Sequence, residues 1–84
     1  MPVWLDEVDL ADVIHNDKLS FEEKRDEIVD RLRNHRWVQE YGECSVLGMA
    51  VNEMSRATDV QEFDYWWSDV YDIADRDRVW IKSF

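Results

Sequence analysis

Residues that break regular structure are scarce in this chain. Two glycines and one proline stand among 84 residues, and an all-β fold would need turn residues about every 8–12 positions. That scarcity points to helices joined by short loops. A single cysteine, Cys44, excludes an internal disulfide and fits a reducing cytoplasm. With no second thiol and no histidine beside it in sequence, it reads as a small buried side chain. The two histidines, His15 and His35, are isolated, and "DLADVIHND" sets only Asp12 and His15 at i,i+3. No metal-ligand cluster, calcium loop, nucleophile elbow or glycine-rich phosphate loop can be traced. No cofactor is expected, and the chain does not read as an enzyme.

Basic residues are also few. Ten Lys and Arg face twenty Asp and Glu, for a net charge of −10. Phosphate backbones and anionic membrane surfaces are contacted through Lys and Arg, so direct binding to nucleic acid or membrane is disfavoured. No apolar run approaches the roughly 18 residues of a membrane span, and "MPVWLDEVDL" turns acidic at Asp6, unlike a secretory leader.

What remains is a capable core. Hydrophobic residues make up 45% of the chain, with five Trp, three Tyr and three Phe. That excludes a disordered chain, and the length suits one small domain over residues 1–84. Val8, Leu10, Val13 and Ile14 suggest a short helix over roughly 9–15, capped by Asp6 or Asp9.

"LSFEEKRDEIVDRLRNHRW" carries the clearest local signal. Ser20 and Glu23 form a capping box, and Phe21, Ile28, Val29 and Leu32 share a face, which predicts a helix over 20–35. Acids lead and Arg31, Arg33 and Arg36 follow, as the helix dipole favours. The same arginines are also readable as a positive spot for an acidic partner or a second copy.

Gly42 breaks "VQEYGEC". A helix over 44–56 then begins at Ser45 or Glu43, with Leu47, Ala50, Val51 and Met54 on one stripe. Gly48 inside it implies a close neighbour, and Met49 falls on the far side. Thr58 and Gln61 resemble a second capping box opening a helix over 59–75. At 100° per residue, Val60, Phe63, Trp67, Val70, Tyr71 and Ala74 form one arc, with Trp66 and Ile73 on its edge. Glu62, Asp64, Asp69, Asp72 and Asp75 occupy the other. The tail "RVWIKSF" reads as a helical turn, a docked extended segment or a short strand. Either it or the N-terminal segment covers Trp66 and Ile73, or the two form an exposed patch.

The expected architecture is all-α: a bundle of three main helices with a short N-terminal helix and a packed C-terminal tail. Its expected core is Phe21, Ile28 and Leu32, then Leu47, Val51 and Met54, then Val60, Phe63, Trp67, Val70 and Tyr71.

The phrases Ser20 to Arg33 and Tyr71 to Ile81, in "LSFEEKRDEIVDRLRNHRW" and "EFDYWWSDVYDIADRDRVWIKSF", resemble small acidic accessory proteins encoded by actinobacteriophages. That resemblance spans most of the chain and implies a phage gene product in a bacterial host cytoplasm. It carries over no catalytic residue.

Composition and resemblance together favour a non-enzymatic module that binds a host or phage protein, basic or nucleic-acid-binding among the options. The candidate contacts are Glu62, Asp64, Trp66, Asp69, Asp72, Ile73, Asp75 and Trp80. The alternative is a mimic of DNA charge that inhibits a host DNA-binding protein. A homodimer through the apolar edge is a further option, and a small enzyme or metal protein using His15, His35 or Cys44 is the weakest.

Overall fold

The computed structural model describes residues 3–83. It is mostly helical, but a small sheet closes it. The elements are β1 (Asp6–Asp9), α1 (Ala11–Ile14), α2 (Phe21–Asn34), α3 (Arg36–Tyr41), α4 (Val46–Arg56), α5 (Val60–Arg76) and β2 (Val79–Lys82).

The helix expected over 9–15 and the all-α class need correction here, while the tail takes the short-strand reading left open above. Residues 6–9 are a strand rather than the cap of a helix over 9–15, so α1 shrinks to four residues. The tail is also a strand, and β1 and β2 pair in parallel with Val8 opposite Ile81. The fold is therefore not purely α. The reason is a two-residue period: Val8 on β1, and Val79 and Ile81 on β2, point inward and are buried, while their neighbours alternate outward. All five helices lie in the connection between the two strands, as a parallel pair requires a long crossover.

The edge of this sheet is closed by side chains. The Leu10 amide donates to the Lys82 carbonyl at 2.9 Å, which turns the even-numbered residues of β1 toward β2 and the odd-numbered ones away. The outward groups find other partners. The Glu7 amide donates to Asp6 Oδ1 at 2.8 Å, the Glu7 carbonyl accepts from His35 Nε2 at 2.9 Å, and the Asp9 carbonyl accepts from Arg31 Nη1 at 3.1 Å. An edge occupied in this way is a poor template for a further strand.

α2 begins as its sequence dictates, with both arms of the Ser20–Glu23 capping box formed. It ends one residue before His35, whose extended backbone starts α3, a helix the sequence pattern did not reveal. The His35 ring itself caps α3. Its Nδ1 accepts the Trp37 amide at 3.1 Å, which places the ring proton on Nε2, facing the Glu7 carbonyl. One side chain thus ties α3 to β1. Gly42, at φ 83°, ends α3 in a backbone conformation that side chains rarely adopt.

Ser45 caps α4 by accepting the Gly48 amide at 3.0 Å. The close approach expected at Gly48 is present: a Cβ there would lie 2.3 Å from the Gly42 carbonyl oxygen. α5 starts one residue later than the Thr58 box implies, because Asp59 is the better-placed cap and accepts the Glu62 amide at 2.8 Å.

α4 packs on α5 and α2, and β2 packs on α5. Leu10, Leu32, Leu47, Val51, Met54 and Val70 are fully buried at the centre. Each such side chain contributes about 1.5–3 kcal/mol relative to exposure. Ile28 and Phe63 are buried as expected, but Phe21, Trp67 and Tyr71 are only half-buried and Val60 is 58% exposed. Val8, Leu10, Trp37, Val38, Ala57, Ile73, Val79 and Ile81 also join the core. No helix among the described residues is long and apolar enough to cross a membrane.

Candidate partner-binding surface

α5 is an amphipathic helix, and its buried line runs Phe63, Val70, Ile73 and Ala74. Against the arc read from sequence, this line is rotated toward Ile73 and away from Tyr71 and Val60. The physical reason is β2, which packs against α5 and extends the core toward its C-terminal half. Ile73 is 8% exposed, so it is withdrawn from any contact surface and belongs to the core. Trp66 is half-buried, and its ring meets that of the exposed Tyr65 edge-on at a centroid distance of 5.0 Å. Trp80 is half-buried on β2, directly opposite Glu7 across the ladder.

The acidic arc lies where the helical period puts it. Asp64, Asp72 and Asp75 are exposed and Asp69 is half-buried. Glu62 differs from these, because its carboxylate accepts from the Thr58 amide and hydroxyl at 3.4 and 3.3 Å and so belongs to the helix start. None of the four aspartates has a cation or a hydrogen-bond donor on its carboxylate among the described residues. Asp69, Asp72 and Asp75 repeat at i,i+3 toward the C-terminal end of the helix. Like charges at that spacing repel, and the negative end of the helix dipole disfavours acids there.

The arginines are used differently. Arg31 clasps Asp12 with two bonds of 2.6 and 2.9 Å and reaches Glu27 at 3.1 Å. Arg36 pairs with Asp6 at 3.3 Å, and Arg33 donates to Asn52 and Ser55 at 3.3 and 3.4 Å. The positive spot read from sequence is therefore engaged only in part: Arg31 and Arg36 meet carboxylates, whereas the exposed Arg33 bonds neutral groups and keeps its charge. Hydrogen bonding from Arg31 holds the Asp12 carboxyl below its usual range, and the Glu7 amide does the same for Asp6, aided by Arg36.

Asp77, just after α5, drew no attention in the sequence. It accepts from the Trp37 indole at 2.9 Å and from the Tyr41 hydroxyl, with Arg76 Nε 3.8 Å away. Burial pushes its carboxyl up, but the Tyr41 and Trp37 bonds and the Arg76 charge outweigh burial and hold it low. Only the rule that a buried indole N–H seeks an acceptor could have hinted at a partner for Trp37, and it would not have said which.

The residues considered for chemistry are also placed. His15 Nε2 bonds the Ser83 carbonyl at 2.6 Å, and His35 holds β1 to α3. Asp12 is engaged by Arg31, so the Asp12–His15 pair does not act together. Cys44 is exposed, contrary to its expected burial, because it lies in the turn between α3 and α4. It lines a depression there with Arg33, Gln39, Glu43 and the exposed Met49. Among the described residues, no three His, Cys, Asp or Glu side chains stand close enough to share a metal ion.

No family model, curated protein or solved structure matches the chain.

Proposed function

We propose that this is a non-enzymatic accessory protein of an actinobacterial phage, acting in the host cytoplasm by binding a host or phage protein through the outer face of α5. The observation that carries the reading is the unpaired set Asp64, Asp69, Asp72 and Asp75. Asp75 stands in the last turn against the helix dipole, and Asp69, Asp72 and Asp75 repel one another at i,i+3 with no internal counter-ion, a placement that folding alone does not favour. Tyr65 and Trp66 lie beside them and add aromatic surface of the kind enriched at binding hot spots. The partner surface is basic, and steering by complementary charge speeds its encounter. The phage origin and cytoplasmic setting rest on the resemblance of Ser20 to Arg33 and Tyr71 to Ile81.

Mimicry of DNA fits the charge less well. Asp64 to Asp75 spans about 16 Å at the helical rise of about 1.5 Å per residue, whereas a duplex carries one charge per roughly 1.7 Å. Four carboxylates over that length are too sparse for a duplex.

Affinity capture from actinobacterial lysate at low and high salt tests the proposal, with Asp69→Asn/Asp72→Asn as the comparison bait. A basic protein released by salt and lost with the variant supports it. Capture that is indifferent to both salt and variant sinks the acidic-surface reading.

A further inference from the structure

The apolar stripe of α5 is not fully covered. Val60, Phe63 and Trp67 face Phe21 and Ile28 of α2 across a cleft of about 290 Å³. Its walls are aromatic: Phe63 meets Phe21 edge-on at 5.9 Å and stacks on Trp67 at 5.8 Å. Val60 is 58% exposed at the mouth, and Trp67 is half-buried. Val60 and Trp67 are core positions by helical period that stay partly open above the buried Phe63 and Ile28. The volume sits at the small end of ligand pockets and suits one bulky apolar side chain.

The charges on the rim indicate what accompanies that side chain. Lys24 Nζ donates to the Ile14 carbonyl at 2.9 Å. Arg25 donates to the Ala57 carbonyl at 2.8 Å, pairs with Asp26 at 3.0 Å and lies over the Phe21 ring. Both cations are therefore engaged by the chain's own acceptors. Asp64, on the opposite rim, has no partner. Asp64 is thus the ionised side chain on this rim that bonds no other group among the described residues, and the one free to take a partner's cation.

We propose that the α2–α5 cleft is the anchor pocket for a basic amphipathic segment of the partner protein. One apolar side chain of that segment fills the cleft, and a neighbouring Lys or Arg pairs with Asp64. The inference rests on the acidic-surface reading and adds to it a hydrophobic anchor, the element that dominates helix-in-groove recognition.

Two defined peptides of about 16 residues test it, one with Leu at helical i, i+3, i+4, i+7 spacing on a Lys background and one with each Leu replaced by Ser. Affinity is measured with the full chain, and the Trp67 indole resonance is followed by NMR. The Leu peptide binds on the order of tenfold tighter than the Ser peptide and shifts the Trp67 indole. Val60→Ser, at an exposed site that leaves the fold intact, and Asp64→Asn each weaken the Leu peptide by about three- to tenfold. Equal binding of the two peptides overturns the anchor. So does a Val60→Ser variant without effect beside an Asp69→Asn/Asp72→Asn variant that weakens binding, and in both cases the acidic surface stands. If neither peptide binds, both readings fall.

Discussion

The two long helices, α2 and α5, are both rich in charge and use it in opposite ways. On α2 acids hold the first turn and Arg31 and Arg33 the last, in accord with the dipole, and its cations reach across to other elements. Lys24 holds the end of α1, Arg25 the end of α4, Arg31 the strand β1 and Arg33 the face of α4. On α5 Glu62 serves the helix start, but Asp64, Asp69, Asp72 and Asp75 pair with no cation among the described residues, and the last three run toward the negative end of the dipole. Charge on α2 positions the fold. Charge on α5 is left over from folding, which is why its outer face is the better candidate for a partner.

The sharpest test of that contrast lies where α5 ends, because Asp77 is the acid there that does have partners. Asp77→Ala leaves the indole N–H of the buried Trp37 without its acceptor. An unsatisfied buried donor costs about 1–3 kcal/mol, and in a chain of this size each kcal/mol moves Tm by roughly 4–8 °C. Thermal melting by circular dichroism should register that loss. If Asp77→Ala melts like the parent, the Trp37–Asp77–Tyr41 link contributes nothing and the C-terminal end of α5 is no different from its outer face.

A somewhat smaller loss is expected on α2. Arg31→Met keeps much of the aliphatic stem but removes the paired bonds to Asp12, the bond to Glu27 and the bond to the Asp9 carbonyl. Exposed ion pairs alone are worth little, but a two-bond clasp joined to a strand carbonyl should be worth about 1 kcal/mol. Urea unfolding would show a lower midpoint at an unchanged slope. An unchanged midpoint would mean that the α2 charges position nothing, and the contrast between the helices would disappear.

Much of this was legible in sequence where the signal was local. The capping box at Ser20, the break at Gly42, the close approach at Gly48 and the two faces of α5 all follow from short-range rules. The strand pair was not legible, because "DEVD" and "VWIK" are four residues each and meet across the whole chain; a two-residue period that short cannot be told from a helical turn. The rotation of the α5 core line, and with it the burial of Ile73, follows from that missed sheet. α3 was hidden because a six-residue helix capped by a histidine carries no standard start signal. At the surface, the aspartates could be placed by periodicity. That they lack partners, and that Arg31, Arg33 and Arg36 do not, depends on contacts between distant elements.

Acid should separate the paired acids from the rest. Asp6, Asp12 and Asp77 are each held low in the folded state. A depressed folded value means that the stability they confer is present above the unfolded value near 4 and is lost as pH falls through the folded values below it. Asp12→Asn removes one of these groups, so it should melt lower than the parent at pH 7. The two melting curves should then converge as pH drops from 4 toward 2. A difference that persists unchanged across that range would assign the effect of Asp12→Asn to something other than its charge.

The smallest expected effect has the opposite sign. Replacing Asp64, Asp69, Asp72 and Asp75 with Asn changes the net charge from −10 to −6, four charges fewer. Asn and Asp have similar helix propensity, so the change isolates charge. Removing the i,i+3 repulsions and the unfavourable dipole contacts should stabilise the protein by about 0.5–1 kcal/mol at low ionic strength. The gain should shrink at about 1 M salt, where screening acts within roughly 3 Å. Melting in the two buffers measures both. A quadruple variant that gains stability and loses its partner would show carboxylates kept at the expense of folding, as a binding surface requires. One that loses stability would mean that these aspartates hold the fold after all, and α5 would then resemble α2.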